Sequence, residues 1–245
     1  MSEARDRADK VLVHLGFFES RASARAAIEA GRVMADGRRV TKPSQMLGLE
    51  ADIIASPAHP FVSRGGLKLA HGLEVFKVDP AGRTCLDLGA STGGFSDVLL
   101  QAGAAKVTAI DVGRGQLHSR LRAEPRLFVF ESTDARDLTA AHITAETSLI
   151  VSDLSFIALE KALGPVLEMA APGTEFVGLF KPQFQVGRKF VGRGGIVTDT
   201  AATEAAMQVF ETWMEEMGWP IRGRTASPVA GGDGNKETLF HTSKL

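Results

Sequence analysis

The chain has 245 residues, 44% of them hydrophobic and 23% charged, with a formal net charge of −1. That length accommodates one large α/β domain or a small domain beside a medium one, and the composition excludes wholesale disorder. The longest stretch free of Asp, Glu, Lys and Arg is the eleven residues Ile53–Ser63, interrupted by Pro57 and Pro60, so no segment reaches the roughly 20 apolar residues of a membrane-spanning helix.

Met1–Lys10 is charged at almost every second position and lacks a secretory apolar core. The lone Cys85 rules out an internal disulfide and a Cys-rich metal site. The six histidines (14, 59, 71, 118, 142 and 241) have no metal-ligand spacing, so no metal is expected. A cytoplasmic protein is the simplest expectation. With net charge near zero, any polyanionic partner has to be argued from local clusters.

Residues 1–57 carry two short helical patterns. Val11, Leu12 and Leu15 share a face of Ala8–Gly16, and Ala24, Ala27 and Ile28 repeat along Arg21–Ala30, with Ser20 as N-cap and Gly31 as stop. Asp36-Gly37 between Arg32 and Val40 signals a hairpin, and Ile53-Ile54 a third strand. The prolines around His59 mark a linker over 58–63.

From 64 to 245 strand-like and helix-like runs alternate. Strands are expected at Thr84–Leu88, Val107–Ile110, Leu127–Phe130, Leu149–Val151 and Phe176–Phe180, with helices such as Phe95–Ala102 and Leu159–Met169 between most of them. This alternation predicts a mostly parallel sheet with helices on both faces. A long helix, Thr200–Met217, then precedes Ile221–Ala226 and Glu237–Thr242; two strands without a helix between them predict a closing antiparallel hairpin.

Cys85-Leu-Asp-Leu-Gly-Ala-Ser-Thr-Gly-Gly-Phe-Ser96 is a strand, a small-residue turn and a helix start. Its glycines permit close ligand approach, and the helix amides face the bound group. The spacing is neither Gly-x-Gly-x-x-Gly nor a P-loop, which disfavours pyrophosphate. Asp-x-Gly-x-x-x-Gly suits S-adenosylmethionine, whose ammonium needs a carboxylate and whose carboxylate needs amides. The expected cofactor residues are Asp87, Gly89, Ser91, Thr92, Gly93, Gly94 and Phe95, then Asp111 for the ribose hydroxyls and Asp134 for the adenine amino group. Asp153 and Lys181, each following an apolar strand, belong beside this turn because the carboxyl ends of adjacent strands share one crevice. Pattern alone does not place Lys68 and Glu237.

The full length resembles the TlyA (haemolysin A) family. Glu19–Val33 with Asp36-Gly37 is similar to the S4 pattern. Ser63-Arg-Gly-Gly-Leu-Lys-Leu69, the Asp87 turn, Val151-Ser-Asp-Leu-Ser-Phe156, Phe180-Lys-Pro-Gln-Phe184 and Gly234-Asn-Lys-Glu237 are similar to motifs of FtsJ-like methyltransferases. The resemblance implies a small α+β S4-type RNA-binding domain before a Rossmann-like α/β methyltransferase domain, with a mostly parallel seven-stranded sheet and an antiparallel end hairpin. It further implies Lys68, Asp153, Lys181 and Glu237 as the catalytic set, S-adenosylmethionine as cofactor, and 2′-O-methylation of cytidine in ribosomal RNA or ribosomal subunits. Asp36 stands where the S4 turn usually has Asn, and the short N-terminus favours the form acting on the large subunit.

Arg21, Arg25, Arg32, Arg38, Arg39 and Lys42 against Glu29 and Asp36 make a local +4. Lys181, Arg188, Lys189 and Arg193 make another, on a glycine-rich and therefore mobile-looking loop. With Arg64 these are the expected RNA contacts, on single-stranded or splayed RNA. Three rival readings are a cytolytic membrane-active protein, an assembly factor that binds RNA without catalysis, and a nicotinamide oxidoreductase. No membrane partner is expected.

Overall fold

The structure, a computed structural model, describes residues 5–245; Met1–Ala4 of the charged N-terminal stretch lie outside the described residues. The described residues divide into two compact units, one ending at residue 60 and the other spanning 61–245.

In the first unit β1 (Arg5–Arg7) leads into α1 (Ala8–His14) and α2 (Arg21–Glu29). Val11, Leu12, Ala24, Ala27 and Ile28, the apolar faces read from the sequence, form its core with Val33, Val40 and Leu47. Ser20 starts α2 through a reciprocal cap: its hydroxyl accepts from the Ser23 amide, and the Ser23 hydroxyl accepts from the Ser20 amide. Next come β2 (Val33–Ala35), β3 (Arg38–Arg39), β4 (Met46–Gly48) and β5 (Ile53–Ala55). Asp36 (φ 50°) and Gly37 (φ 73°) both adopt left-handed backbone, as a two-residue hairpin turn requires. The antiparallel sheet β3-β2-β5 matches the expected strands, whereas the pair β1–β4 was not legible: each strand has three residues and no alternation.

The second unit contains α3 (Gly65–Phe76), β6 (Thr84–Leu88), α4 (Gly94–Gln101), β7 (Lys106–Asp111), β8 (Leu127–Glu131), β9 (Thr147–Ser152), α5 (Leu159–Met169), β10 (Glu175–Phe180), the single turn α6 (Pro182–Gln185), α7 (Thr200–Glu216), β11 (Ile221–Ala226) and β12 (Thr238–Ser243). Its seven-stranded sheet has the order β11-β12-β10-β9-β6-β7-β8. The strands β6 to β10 pair in parallel, and β12 runs antiparallel to β10 and β11. This is the Rossmann-like sheet with the antiparallel end hairpin that the sequence predicts.

Each face of the sheet carries its own core. Leu69, Leu73, Val98 and Leu99 from α3 and α4 pack on one side, with Phe61 and Val62 against them. Leu159, Leu163, Val166, Met207, Phe210 and Met214 from α5 and α7 pack on the other. Each such side chain contributes about 1.5–3 kcal/mol on burial. Gly178 in β10 is required by packing: a Cβ there would stand 2.5 Å from the Phe240 ring of the neighbouring strand. The crossovers on either side of β8 hold only single 3-10 turns, Ser119–Leu121 and Ala135–Asp137, where helices would be the norm. Strand β8 lies at the sheet edge with Phe128 and Val129 exposed, so it offers no full apolar face for a helix to cover.

Candidate active site

Strand order reverses between β6 and β9: the chain proceeds from β6 toward β7 and from β9 toward β10. The crevice at such a switch point is where open α/β sheets bind ligands. The carboxyl ends of β6, β7, β9 and β10 deliver Gly89, Asp111, Asp153 and Lys181 there. Gly89 has φ +80°, and a Cβ on it would meet the backbone of Asp153 at 3.3 Å. Two cavities, about 210 and about 250 Å³, share Gly89, Ser91, Asp153 and Ser155 and so adjoin.

Lys68, Asp153 and Lys181 all line the first cavity. Glu237 arrives by topology: β12 pairs antiparallel with β10 in a register that sets Thr238 opposite Phe180, so the residue before β12 lies at the same sheet edge as Lys181. Helix α3 packs on the same strands, with Gly72 against Val177 and Leu239, which carries Lys68 to this edge. The result is two ion pairs: Lys68 Nζ to Glu237 Oε2 at 2.5 Å and Lys181 Nζ to Asp153 Oδ1 at 2.6 Å. Lys68, Lys181 and Glu237 are all buried. Lys181 Nζ also donates to the Asp153 carbonyl (3.1 Å) and the Ser155 hydroxyl (2.7 Å). Sequence pattern had left Lys68 and Glu237 unplaced; the structure brings both in.

The cofactor candidates divide. Gly89, Ser91, Thr92, Gly94 and Phe95 line the first cavity and Asp111 the second. Asp111 is partly engaged, accepting from the Ser91 amide at 2.7 Å and the Gly113 amide at 2.6 Å. Gly93 caps α4 in a left-handed conformation and is not a wall of either cavity. Asp87 lies fully buried behind the turn. Its Oδ2 accepts from Ser96 Oγ at 2.6 Å, and Oδ1 has no hydrogen-bond partner. Burial pushes its carboxyl up to about 7, and the nearby Asp153 and Asp111 carboxylates add to the rise. Asp134 departs from expectation. It caps the Ala135–Asp137 turn and grips the Arg136 guanidinium at 2.7 and 3.0 Å, while its neighbours Thr133 and Ala135 line the cavity. An Asp two residues before an Arg closes that local fork in preference to facing the cavity. A glycine cradle beside the Asp111 and Asp153 carboxylates fits a cofactor that brings cationic groups, as S-adenosylmethionine does.

Of the basic candidates, Arg64 lines the first cavity, and Arg188, Lys189 and Arg193 lie on the segment after α6. That segment is fastened: the buried Asn235 donates to the Gly195 carbonyl (2.8 Å) and accepts from the Val197 amide (2.9 Å). In the first unit Arg25, Arg32, Arg38, Arg39 and Lys42 are exposed. Arg21 is committed differently, bonding the fully buried Asp9 carboxylate at 2.8 and 3.2 Å. The sequence reading overlooked Ser155, Phe156 and Asn235. Phe156 has a left-handed backbone (φ 67°) and a side chain 91% exposed at the second cavity, 5.3 Å from the Phe184 ring. Its positive φ, rare for an aromatic, leaves no trace in composition or periodicity.

A switch-point crevice with a glycine turn, adjoining carboxylates and this sheet order defines a Rossmann-like methyltransferase. Residues 61–244 match the FtsJ-like methyltransferase model and residues 6–54 the S4 domain model. The chain is 43% identical to the 16S/23S rRNA (cytidine-2′-O)-methyltransferase TlyA of Mycobacterium tuberculosis, over 95% of its own length and 88% of that protein's. It is 37% identical to hemolysin A of Brachyspira hyodysenteriae over 96% of its length and 98% of the relative's. A solved chain from Streptococcus thermophilus that carries the hemolysin name superposes with a TM-score of 0.76 at 34% identity, covering 100% of this chain and 90% of that one. The protein belongs to the TlyA family of S4-bearing, FtsJ-like methyltransferases. No helix among the described residues is long and apolar enough to cross a membrane.

Proposed function

We propose that the protein transfers a methyl group from S-adenosylmethionine to a cytidine 2′-hydroxyl of ribosomal RNA in the cytoplasm. The observation that carries this reading is the meeting of Lys68, Asp153 and Lys181 in one cavity beside the Gly89 turn, with Glu237 paired to Lys68. Bound S-adenosylmethionine supplies a methyl group already activated by its sulfonium. Gly89, Ser91, Thr92, Gly94, Phe95 and Asp111 would hold it, with Asp87 behind the turn.

The protein's remaining task is alignment and proton removal from a weakly nucleophilic hydroxyl. Lys181 in its neutral form accepts that proton, and Asp153 orients it through two oxygens. Lys68, held by Glu237, sets a second ammonium on the wall of the same cavity, where it can position the ribose hydroxyl. Arg64, Arg188, Lys189, Arg193 and the exposed cations of the first unit are suited to RNA phosphates. Phe156 and Phe184 offer apolar faces for an unstacked base.

The test is tritium transfer from labelled S-adenosylmethionine into ribosomal RNA from a strain lacking the protein, with the label mapped. Label on a cytidine 2′-oxygen is expected. Lys181→Ala protein should bind S-adenosylmethionine and transfer nothing; wild-type rates in that variant would refute Lys181 as the base.

A further inference from the structure

Lys181 Nζ donates to Ser155 Oγ at 2.7 Å and to the Asp153 carbonyl at 3.1 Å, and it stands 2.6 Å from Asp153 Oδ1 as an ion pair without a hydrogen bond. Of these three oxygens only the Ser155 hydroxyl can also hand a proton to the nitrogen. Both Asp153 oxygens only accept, and they hang from a residue fixed at the end of β9, whose backbone amide bonds the Leu88 carbonyl at 3.0 Å. The Ser155 hydroxyl accepts and donates.

That difference matters once Lys181 is neutral. Two N–H groups then remain, and they turn toward the Asp153 oxygens, which carry negative charge and cannot face a nitrogen lone pair. The lone pair is left at the third corner, where Ser155 Oγ stands. Ser155 is exposed and lines both cavities, whereas Lys181 is 6% exposed. Both line the first cavity, and Ser155 is the more open of the two to an approaching hydroxyl.

Building on the methyltransferase reading above, we propose that Ser155 is a catalytic proton relay between the substrate hydroxyl and Lys181. As the 2′-oxygen attacks, its O–H bond breaks and its proton forms a new bond to Ser155 Oγ. In the same step the Ser155 O–H bond breaks and that proton goes to the Nζ lone pair. Ser155 ends as it began, a neutral hydroxyl, now accepting from the ammonium as the structure shows. No further reactant is needed.

Single-turnover methyl transfer measured on wild type, Ser155→Ala, Ser155→Thr and Lys181→Ala tests the proposal. Ser155→Ala is expected to slow transfer about 10-fold or more, within the range for a lost acid–base partner. Its KM for RNA, cofactor affinity and melting temperature should stay near wild type, because the residue is exposed. Ser155→Thr, which keeps the hydroxyl, should recover most of the rate. In mixed H₂O and D₂O the wild-type rate should follow a curved dependence on deuterium fraction, the signature of two protons in flight. A Ser155→Ala rate within about twofold of wild type, a Thr variant as slow as Ala, or a linear isotope dependence overturns the relay while leaving the methyltransferase reading intact. Failure of the wild type itself to label RNA removes both.

Discussion

Glu237 Oε2 stands 2.5 Å from Lys68 Nζ, with the two side chains only 2% and 10% exposed. A buried pair of this kind is not in itself a strong stabiliser, because desolvating two charges costs about as much as their attraction returns. Breaking it is another matter. Glu237→Ala leaves a lysine ammonium without its counter-charge, and a loss of about 3–5 kcal/mol is expected. The double variant Lys68→Met, Glu237→Met removes both charges and should recover most of that stability while transferring no methyl group. Urea unfolding followed by tryptophan fluorescence separates the cases, since both tryptophans, Trp213 and Trp219, lie in the second unit. A single variant as stable as wild type would mean that the pair is open in solution.

How these residues come together explains what the sequence did and did not disclose. Asp153 and Lys181 each follow a strand buried on both faces, and the switch-point rule assigns such positions to the crevice without coordinates. Glu237 is named by the family resemblance, but periodicity places it beside Lys181 only once β12 is known to run antiparallel beside β10, a pairing that no local pattern encodes. Lys68 depends on where α3 packs. Asp134 illustrates the converse: its place after a strand follows from the pattern, whereas its pairing with Arg136, two residues away, emerges only from the structure. Ser155 lay in plain view within the Asp153 motif. Serine is so common in loops that its role emerges only from the lysine it touches.

Arg21 and Arg25 share one face of α2, and a charge count treats them alike. The structure separates them, because Arg21 serves Asp9, whose carboxyl the Arg7 and Arg21 guanidiniums hold down near about 2. Arg21→Ala is expected to loosen the first unit by about 1 kcal/mol, a modest figure because the arginine is half exposed and screened. Faster amide exchange in α1 and α2 would report it, with little change in the salt dependence of RNA binding. Arg25→Ala should do the reverse, lowering the slope of log affinity against log salt by about one with exchange unaltered. Equal salt slopes for the two variants would show that Arg21 releases Asp9 to meet RNA.

Asp87 gives the second unit a pH dependence of definite sign. Its carboxyl titrates near about 7 in the fold, against an ordinary value of 3.8, chiefly because it is wholly buried. The folded state therefore holds a proton that the unfolded chain has released, and the stability this contributes is complete below about pH 4. It is lost as pH rises through about 7, to a limit of about 4 kcal/mol for a shift of that size. Asp87→Asn keeps an acceptor for Ser96 Oγ and cannot ionise, so it should show no such decline. The measurement is the difference in unfolding free energy between wild type and Asp87→Asn at several pH values from 4 to 8. Taking the difference cancels the groups held below their ordinary values, Asp9 and Glu175 among them, which act in the opposite direction at lower pH. A difference that grows in favour of the variant as pH rises is expected; a flat one would mean that Asp87 is ionised in the fold, its charge met by water reaching the orphaned Oδ1.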